Sequence, residues 1–210
     1  MSIFKFVRHA ARQVLHPEDF FLRNTSGIIH VGSSDGKEAE LYSEYNLNVL
    51  WIEPNPKSFQ TLTSVINNFK GQTAKSYLLA DVDDKDSTLA VGGDPGEQIS
   101  LKSIKLSTLV VREKVDVSLY DALVMDVQGA DLRVLNGAAD LLSRFQFIKT
   151  KAAENETYPG CCTVRDIDTF LTPRSFRVVS KKPSKSKTRG GSWYDVIYSR
   201  ESWKKLRSKN

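Results

Sequence analysis

Ile28-Ile29-His30-Val31-Gly32-Ser33-Ser34-Asp35-Gly36-Lys37-Glu38, followed after a helix-length interval by Val49-Leu50-Trp51-Ile52-Glu53-Pro54-Asn55-Pro56, decides the fold. An apolar run enters a glycine-bearing turn and a helix start, and a second apolar run ends on a carboxylate. This is the order of an α/β nucleotide-binding unit, whose ligands sit at the carboxyl ends of the strands. Gly32 and Gly36 let the backbone turn sharply and come close to a ligand. Glu53, at the end of the second strand, can accept both hydroxyl hydrogens of a ribose. The expected ligand carries an adenosine-like sugar.

A dinucleotide fingerprint reads G-x-G-x-x-G and seats a pyrophosphate on a helix N-terminus. Here the spacing is Gly32-x-x-x-Gly36, and Asp35 would repel an anion. A loop bearing Asp35 and Glu38 suits the sulfonium and ammonium groups of S-adenosylmethionine. The expected cofactor-binding set is therefore His30, Gly32, Ser33, Ser34, Asp35, Gly36 and Glu38 from the first loop, with Glu53, Pro54 and Asn55 from the second. Asp35 and Glu38 also read as N-cap and capping box of a helix over Gly36 to Tyr45.

Outward from this pair of blocks, apolar runs alternate with amphipathic segments, the pattern of an α/β fold with a mainly parallel sheet. Strands are predicted at Gly27 to Val31, Val49 to Glu53, Ser76 to Ala80, Ala122 to Asp126, Phe147 to Ala152, Phe176 to Ser180 and Tyr194 to Ser199. Helices are predicted at Gly36 to Tyr45, Pro56 to Phe69, Ala130 to Leu142 and Val164 to Leu171. The stretch Asp81 to Leu119, with its Gly92-Gly93-Asp94-Pro95-Gly96 turn, reads as short antiparallel pieces and loops.

The 210 residues, 40% of them hydrophobic, suit one domain with one substantial core. It is expected over 27–200, between an N-terminal helical segment, 1–26, and a basic tail, 201–210. The net charge of +5 is concentrated in Lys181 to Arg189 and in the tail, whereas a nucleic-acid-coating protein would spread it more widely. Met1 to Leu15 breaks up its apolar residues with Lys5, Arg8, His9 and Arg12, so it reads as neither signal peptide nor span, and a cytoplasmic protein is expected. Ile3, Phe4, Phe6, Val7, Ala10 and Val14 share a helical face that suits packing on the domain or a partner, with peripheral membrane contact as the alternative. Cys161 and Cys162 are adjacent and match neither a disulfide framework nor a metal motif.

A further block, Tyr120-Asp121-Ala122-Leu123-Val124-Met125-Asp126-Val127-Gln128-Gly129-Ala130-Asp131-Leu132, carries chemistry. Its strand ends at Asp126, so Asp126, Gln128 and Gly129 face the same crevice as Gly32 and Glu53. A carboxylate there can hold an ammonium group, orient an attacking hydroxyl or help bind a metal; capping of the next helix is the plainer role.

Taken together, His30-Val-Gly-Ser-Ser-Asp-Gly-Lys-Glu, Trp51-Ile-Glu-Pro-Asn-Pro, Met125-Asp-Val-Gln-Gly-Ala-Asp-Leu-Arg-Val-Leu-Asn-Gly-Ala, Tyr158-Pro-Gly-Cys-Cys, Asp166-Ile-Asp and Trp193-Tyr-Asp-Val-Ile-Tyr resemble the FkbM-type S-adenosylmethionine-dependent methyltransferases. The similarity runs in order from about Gly27 to Arg200. The resemblance implies a class I methyltransferase, Rossmann-like: a seven-stranded mainly parallel sheet whose last strand is antiparallel. It implies O-methylation of sugars, glycans, glycolipids or secondary-metabolite hydroxyls. It also implies that the Gly32 to Gly36 loop holds the amino-acid part of the cofactor, Glu53 the ribose, and the Ala80-Asp81 turn the adenine region.

Two positions depart from the family pattern. His30 stands where the wider family often has aspartate, although histidine also occurs in the branch this sequence resembles and a structural strand-end histidine is as good a reading as a catalytic one, and Lys151 stands where a glutamate is expected. A cation in place of that glutamate alters charge and proton chemistry together. A hydroxyl acceptor needs a group to take its proton, and the candidates in order are Asp126 with Gln128 as orienting partner, then Glu154 or Glu156, then His30. Lys151, Glu156, Tyr158 and Lys185 are the expected acceptor contacts, and the basic run suggests an anionic acceptor. No compact metal-ligand motif is present in the sequence. The rival readings are a cofactor-binding protein with impaired transfer, suggested by Lys151, and a nucleic-acid methyltransferase, suggested by the basic loop and tail.

Overall fold

The structure, a computed structural model, describes residues 17–91, 97–184 and 191–200. The expectations for the N-terminal apolar face, the Gly92 to Gly96 turn, Lys185 and its basic neighbours through Arg189, and the C-terminal tail lie outside those residues.

Strands β1 (Gly27–Val31), β2 (Asn48–Ile52), β3 (Gln72–Lys75), β7 (Ala122–Met125), β8 (Phe147–Ala153), β9 (Arg177–Pro183) and β10 (Trp193–Ser199) form one seven-stranded sheet in the order β3-β2-β1-β7-β8-β10-β9. β1, β2, β3, β7 and β8 are mutually parallel, and β10 runs antiparallel to both β8 and β9. The last strand in sequence is thus the antiparallel one, inserted beside the penultimate strand, as expected. Every residue of β1 and β7 is buried, which explains why these strands are continuous apolar runs: helices cover the sheet on both faces.

The pleat divides these runs between two cores. Ile29, Val31, Leu50, Ile52, Leu123 and Met125 pack with helices α4 (Leu106–Arg112), α5 (Asp131–Gly137) and α6 (Val164–Leu171). Ile28, Val49, Trp51, Val124 and Phe147 pack with α1 (Pro17–Arg23), α2 (Ala39–Glu44) and α3 (Pro56–Ile66).

Several boundaries differ from those predicted. The sheet's third strand is Gln72–Lys75 rather than Ser76 to Ala80; Leu78–Leu79 is β4, which joins β5 (Asp86–Val91) and β6 (Glu97–Ile104) in a second sheet ordered β4-β6-β5. β3 escapes a hydrophobicity reading because its inward residue is polar. Gln72 accepts a hydrogen bond from Trp51 Nε1 at 2.9 Å and donates to the Ala39 carbonyl at 2.8 Å, so its burial is satisfied. The helix predicted from Gly36 begins at Ala39, and Glu38, at its N-cap, makes no side-chain capping bond, so the Asp35/Glu38 capping box does not form.

The helix predicted over Ala130 to Leu142 ends at Gly137 and continues as a 3₁₀ segment, Ala139–Arg144. Gly137 lies against the Ala80 carbonyl, only 2.0 Å from where a β-carbon would be. Of the stretch expected as short antiparallel pieces and loops, β5 and β6 are the antiparallel pair, while α4 is an addition; its β-branched sequence argues weakly for helix, and burial of Leu106, Leu109 and Val110 decides it. α6 starts where predicted, on a capping box in which Thr163 and Asp166 bond each other's backbone N–H.

Candidate active site

The loops leaving β1, β2 and β7 meet at the carboxyl edge of the sheet around a cleft of 380 Å³ lined by Gly32, Ser34, Glu53, Pro54, Asn55, Asp126 and Gln128, with Tyr77, Leu78, Leu79 and Leu89 as its apolar wall. Glu53 sits in it as a buried carboxylate. Its Oε2 accepts from Ser34 N at 2.7 Å and its Oε1 from Asn55 N at 2.9 Å. Burial pushes its carboxyl above the usual carboxylate range, and those two backbone donors work against that shift. Each oxygen keeps acceptor capacity for a further donor. Asn55 also caps α3, its Oδ1 accepting from Lys57 N at 2.9 Å.

Gly32 has φ +74°, and a β-carbon on it would stand 2.4 Å from the Asp126 carbonyl oxygen. The β1 and β7 loops therefore touch backbone to backbone, which closes the cleft floor. Ser33 Oγ and Asp35 Oδ1 are buried beside this loop without a protein hydrogen-bond partner. Gly36 does not line the cleft; its missing side chain makes room for Leu62 Cδ1 of α3, 2.7 Å from a β-carbon position. Of the predicted adenine-side residues, Ala80 is buried with its N–H on the Ile104 carbonyl, and Asp81 pairs with Arg133 at 3.3 Å. Neither lines the cleft, and the corresponding wall is built from Tyr77, Leu78 and Leu79, just upstream. Tyr77 is held by its hydroxyl, which donates to Glu113 at 2.5 Å, and Glu113 is in turn paired with Lys75 at 2.5 Å.

Asp126 also lines a second hollow of 250 Å³ on the α2 face of the sheet, together with His30, Glu38, Tyr42, Lys149, Lys151, Ser184 and Asp195. Lys151 Nζ forms an ion pair with Asp126 Oδ2. Glu38 and His30, predicted for the cofactor, belong to this hollow instead. His30 is buried, stacked on Trp51 with ring centroids 4.8 Å apart, and its Nδ1 lies 3.3 Å from the Tyr42 hydroxyl. Burial, with Lys149 and Lys151 nearby, lowers its pKa to about 3. Its neutral ring is then a weak base, stacked as an aromatic plate in the wall of this hollow.

Glu154 is paired with Lys181 at 2.8 Å, and Glu156 accepts from Gly160 N at 2.7 Å. Neither lines the cleft or the second hollow. Tyr158 donates to the Gln128 carbonyl, and Cys162 N donates to the Gly129 carbonyl at 2.9 Å. The Tyr158 to Cys162 segment thus braces the turn that presents Gln128, at φ +52°, to the cleft.

Behind that turn stands Asp131, which is not among the site residues expected from the sequence. It is fully buried, accepts from Thr150 Oγ1 and from Gly129 N at 3.3 Å, and burial pushes its carboxyl up to about 7. No cluster of His, Cys, Asp and Glu suited to a metal occurs among the described residues, nor any helix long and apolar enough to cross a membrane.

The family model described as a methyltransferase FkbM domain matches residues 30–178. No curated protein matches the chain. Among solved structures, a SAM-dependent methyltransferase from Aquifex aeolicus is 12% identical with TM-score 0.51, covering 86% of this chain and 85% of its own. Magnesium protoporphyrin IX methyltransferase from Synechocystis PCC 6803, solved with bound SAM, is 12% identical with TM-score 0.54 over 93% of this chain and 76% of that one. Aeropyrum pernix fibrillarin, in complex with S-adenosyl-L-methionine, is 13% identical with TM-score 0.55 over 91% and 73%. The shared feature at such identities is the class I methyltransferase fold.

Proposed function

The chain belongs to the FkbM methyltransferase family, and on that premise we propose that it transfers a methyl group from S-adenosylmethionine to a hydroxyl oxygen of a sugar, glycan, glycolipid or other hydroxylated small molecule. The cleft fits the cofactor. Glu53, held by two backbone donors and still able to accept, suits the paired hydroxyls of a ribose. Tyr77, Leu79 and Leu89 suit a flat apolar base. The partnerless Ser33 Oγ and Asp35 Oδ1 belong to the loop expected to hold the ammonium end, although neither residue lines the cleft. The bound cofactor supplies an electrophilic methyl on a positively charged sulfur, which keeps the carbon–sulfur electron pair when the bond breaks.

The observation that carries the hydroxyl assignment is the position of Asp126, which lines both the cleft and the adjoining hollow. A hydroxyl seated between them loses its proton to Asp126 as its oxygen gains the methyl. Holding the reactants in line accounts for much of the acceleration. With labelled S-adenosylmethionine and a panel of glycosides and hydroxylated small molecules, the chain is expected to form alkali-stable ethers. Asp126→Asn is expected to lower that rate by about 10²-fold or more, the scale of a lost general base, with cofactor affinity nearly kept. Methyl esters or N-methyl products, or an unchanged rate in Asp126→Asn, would defeat the assignment.

A second reading, a cofactor-binding protein with impaired transfer, has the Asp126–Lys151 ion pair in its favour, since that pair occupies an oxygen the acceptor needs. It is selected if the parent binds cofactor without turnover and Lys151→Glu gains it. An active parent slowed by Lys151→Glu selects the first reading.

A further inference from the structure

The second hollow bears on the chemical class of the acceptor, an inference that rests on the cleft being the methyl-donor site. His30, Val124 and Lys149 stand in register across β1, β7 and β8. One pleat nearer the carboxyl edge, Lys151 faces Asp195 and Asp195 faces Lys182, while Asp126, just past the end of β7, pairs with Lys151. Directly opposed residues share a face of the sheet. Carboxylate and ammonium therefore alternate across it as Asp126, Lys151, Asp195 and Lys182. Lys149 is matched by Glu18, and Glu38 adds another carboxylate to the wall.

Among the described residues the hollow consequently has no surplus of positive charge, although two lysines line it. A phosphate or carboxylate placed there would meet Asp126, Asp195 and Glu38, and it would compete with carboxylates already paired to both ammoniums. Such like-charge contacts select against anions. A ring of hydroxyls is different, because each one both donates and accepts. The floor offers donors from Lys149 and Lys151 interleaved with acceptors on Asp126 and Asp195.

We propose that the hollow floored by Asp126, Lys151 and Asp195 is the acceptor site and takes an uncharged polyhydroxylated ring, a neutral sugar unit, with one hydroxyl turned toward Asp126. This departs from the anionic acceptor suggested by the basic run, of whose described cations Lys181 is engaged by Glu154 and Lys182 stands in register with Asp195.

The test uses the whole chain saturated with S-adenosylhomocysteine, and a panel of methyl glycosides of glucose, galactose, mannose, rhamnose, fucose and xylose beside glucose 6-phosphate and galactose 1-phosphate. Saturation-transfer NMR reads contact of each probe with the protein. At least one neutral glycoside is expected to give transfer that Ser184→Trp, which puts a bulky ring on a residue lining the hollow, reduces at least fivefold. Sugar phosphates are expected to give less than their neutral counterparts. Calorimetry on the same variant is expected to return S-adenosylhomocysteine affinity within twofold of the parent. The proposal is overturned if no glycoside gives a signal sensitive to Ser184→Trp, or if only the phosphates bind. A parent that does not bind S-adenosylhomocysteine at all overturns the donor-site reading instead, which keeps the two failures apart.

Discussion

Glu53 is the residue on which the cofactor reading is most exposed to test. Its two oxygens tie the β1 loop, through Ser34 N, to the start of α3, through Asn55 N, so its loss removes the proposed ribose contact and two backbone bonds together. Glu53→Ala is expected to weaken S-adenosylhomocysteine binding by about 1–3 kcal/mol, the range for charge-assisted bonds and the partners they leave unsatisfied. Titration calorimetry reads this, and unchanged affinity would remove Glu53 from the ribose site. The carboxylate at the end of β2 was legible from its place after an apolar run. For His30 the sequence left a structural and a catalytic reading open, and it gave Asp131 no role, because a single sequence does not show that one side chain's ring stacks on Trp51 or that the other's carboxyl lies behind the Gln128 turn.

At the scale of elements, the β1 and β7 loops are built around their mutual approach at Gly32. Gly32→Ala forces an ordinary residue to φ +74° and drives its β-carbon to 2.4 Å from the Asp126 carbonyl oxygen. Gly160→Ala is the matched control, since Gly160 has φ +85° with nothing within 4 Å of a β-carbon. The control is expected to lose about 1–2 kcal/mol, the cost of a left-handed non-glycine residue, or roughly 2–4 °C in Tm per kcal/mol for a domain of this size. Gly32→Ala is expected to lose more and also to lose cofactor affinity, as measured by thermal melts with and without S-adenosylhomocysteine. Equal melting shifts would mean that the loops separate freely.

Over the whole molecule, two buried titratable groups act on stability in opposite directions. His30 is lowered from 6.5 to about 3, so the unfolded chain binds the extra proton and stability falls as pH drops below 6.5. Asp131 is raised from 3.8 to about 7, so the folded chain binds the extra proton and stability falls as pH rises through that window. The two slopes nearly cancel between 3.8 and 6.5. In Asp131→Asn that cancellation is lost. Its stability relative to the parent is expected to climb by about 1.4 kcal/mol per pH unit across the Asp131 window and to level off above about 7. Urea denaturation at a series of pH values reads the slope, which any constant offset from the altered Thr150 bond leaves untouched. A flat difference would show Asp131 to be ionised in the folded state.

Sequence alone determined the frame: buried apolar runs ending in Gly32, Glu53 and Asp126 require a sheet covered on both sides, and the pleat then delivers those residues to one edge. α6 was equally legible, because Thr163 and Asp166 form its start within four consecutive residues. What remained for the tertiary structure were features made by residues far apart in the chain. Gln72 is inward only because Trp51 and Ala39 bond it, and α4 is a helix because its apolar face is buried. Lys151 lies against Asp126, 25 positions away, because β7 and β8 pair in register. Local pattern encodes which faces are apolar and where the chain turns; which polar groups meet across a sheet depends on strand order and register, and these are set only when the whole core closes.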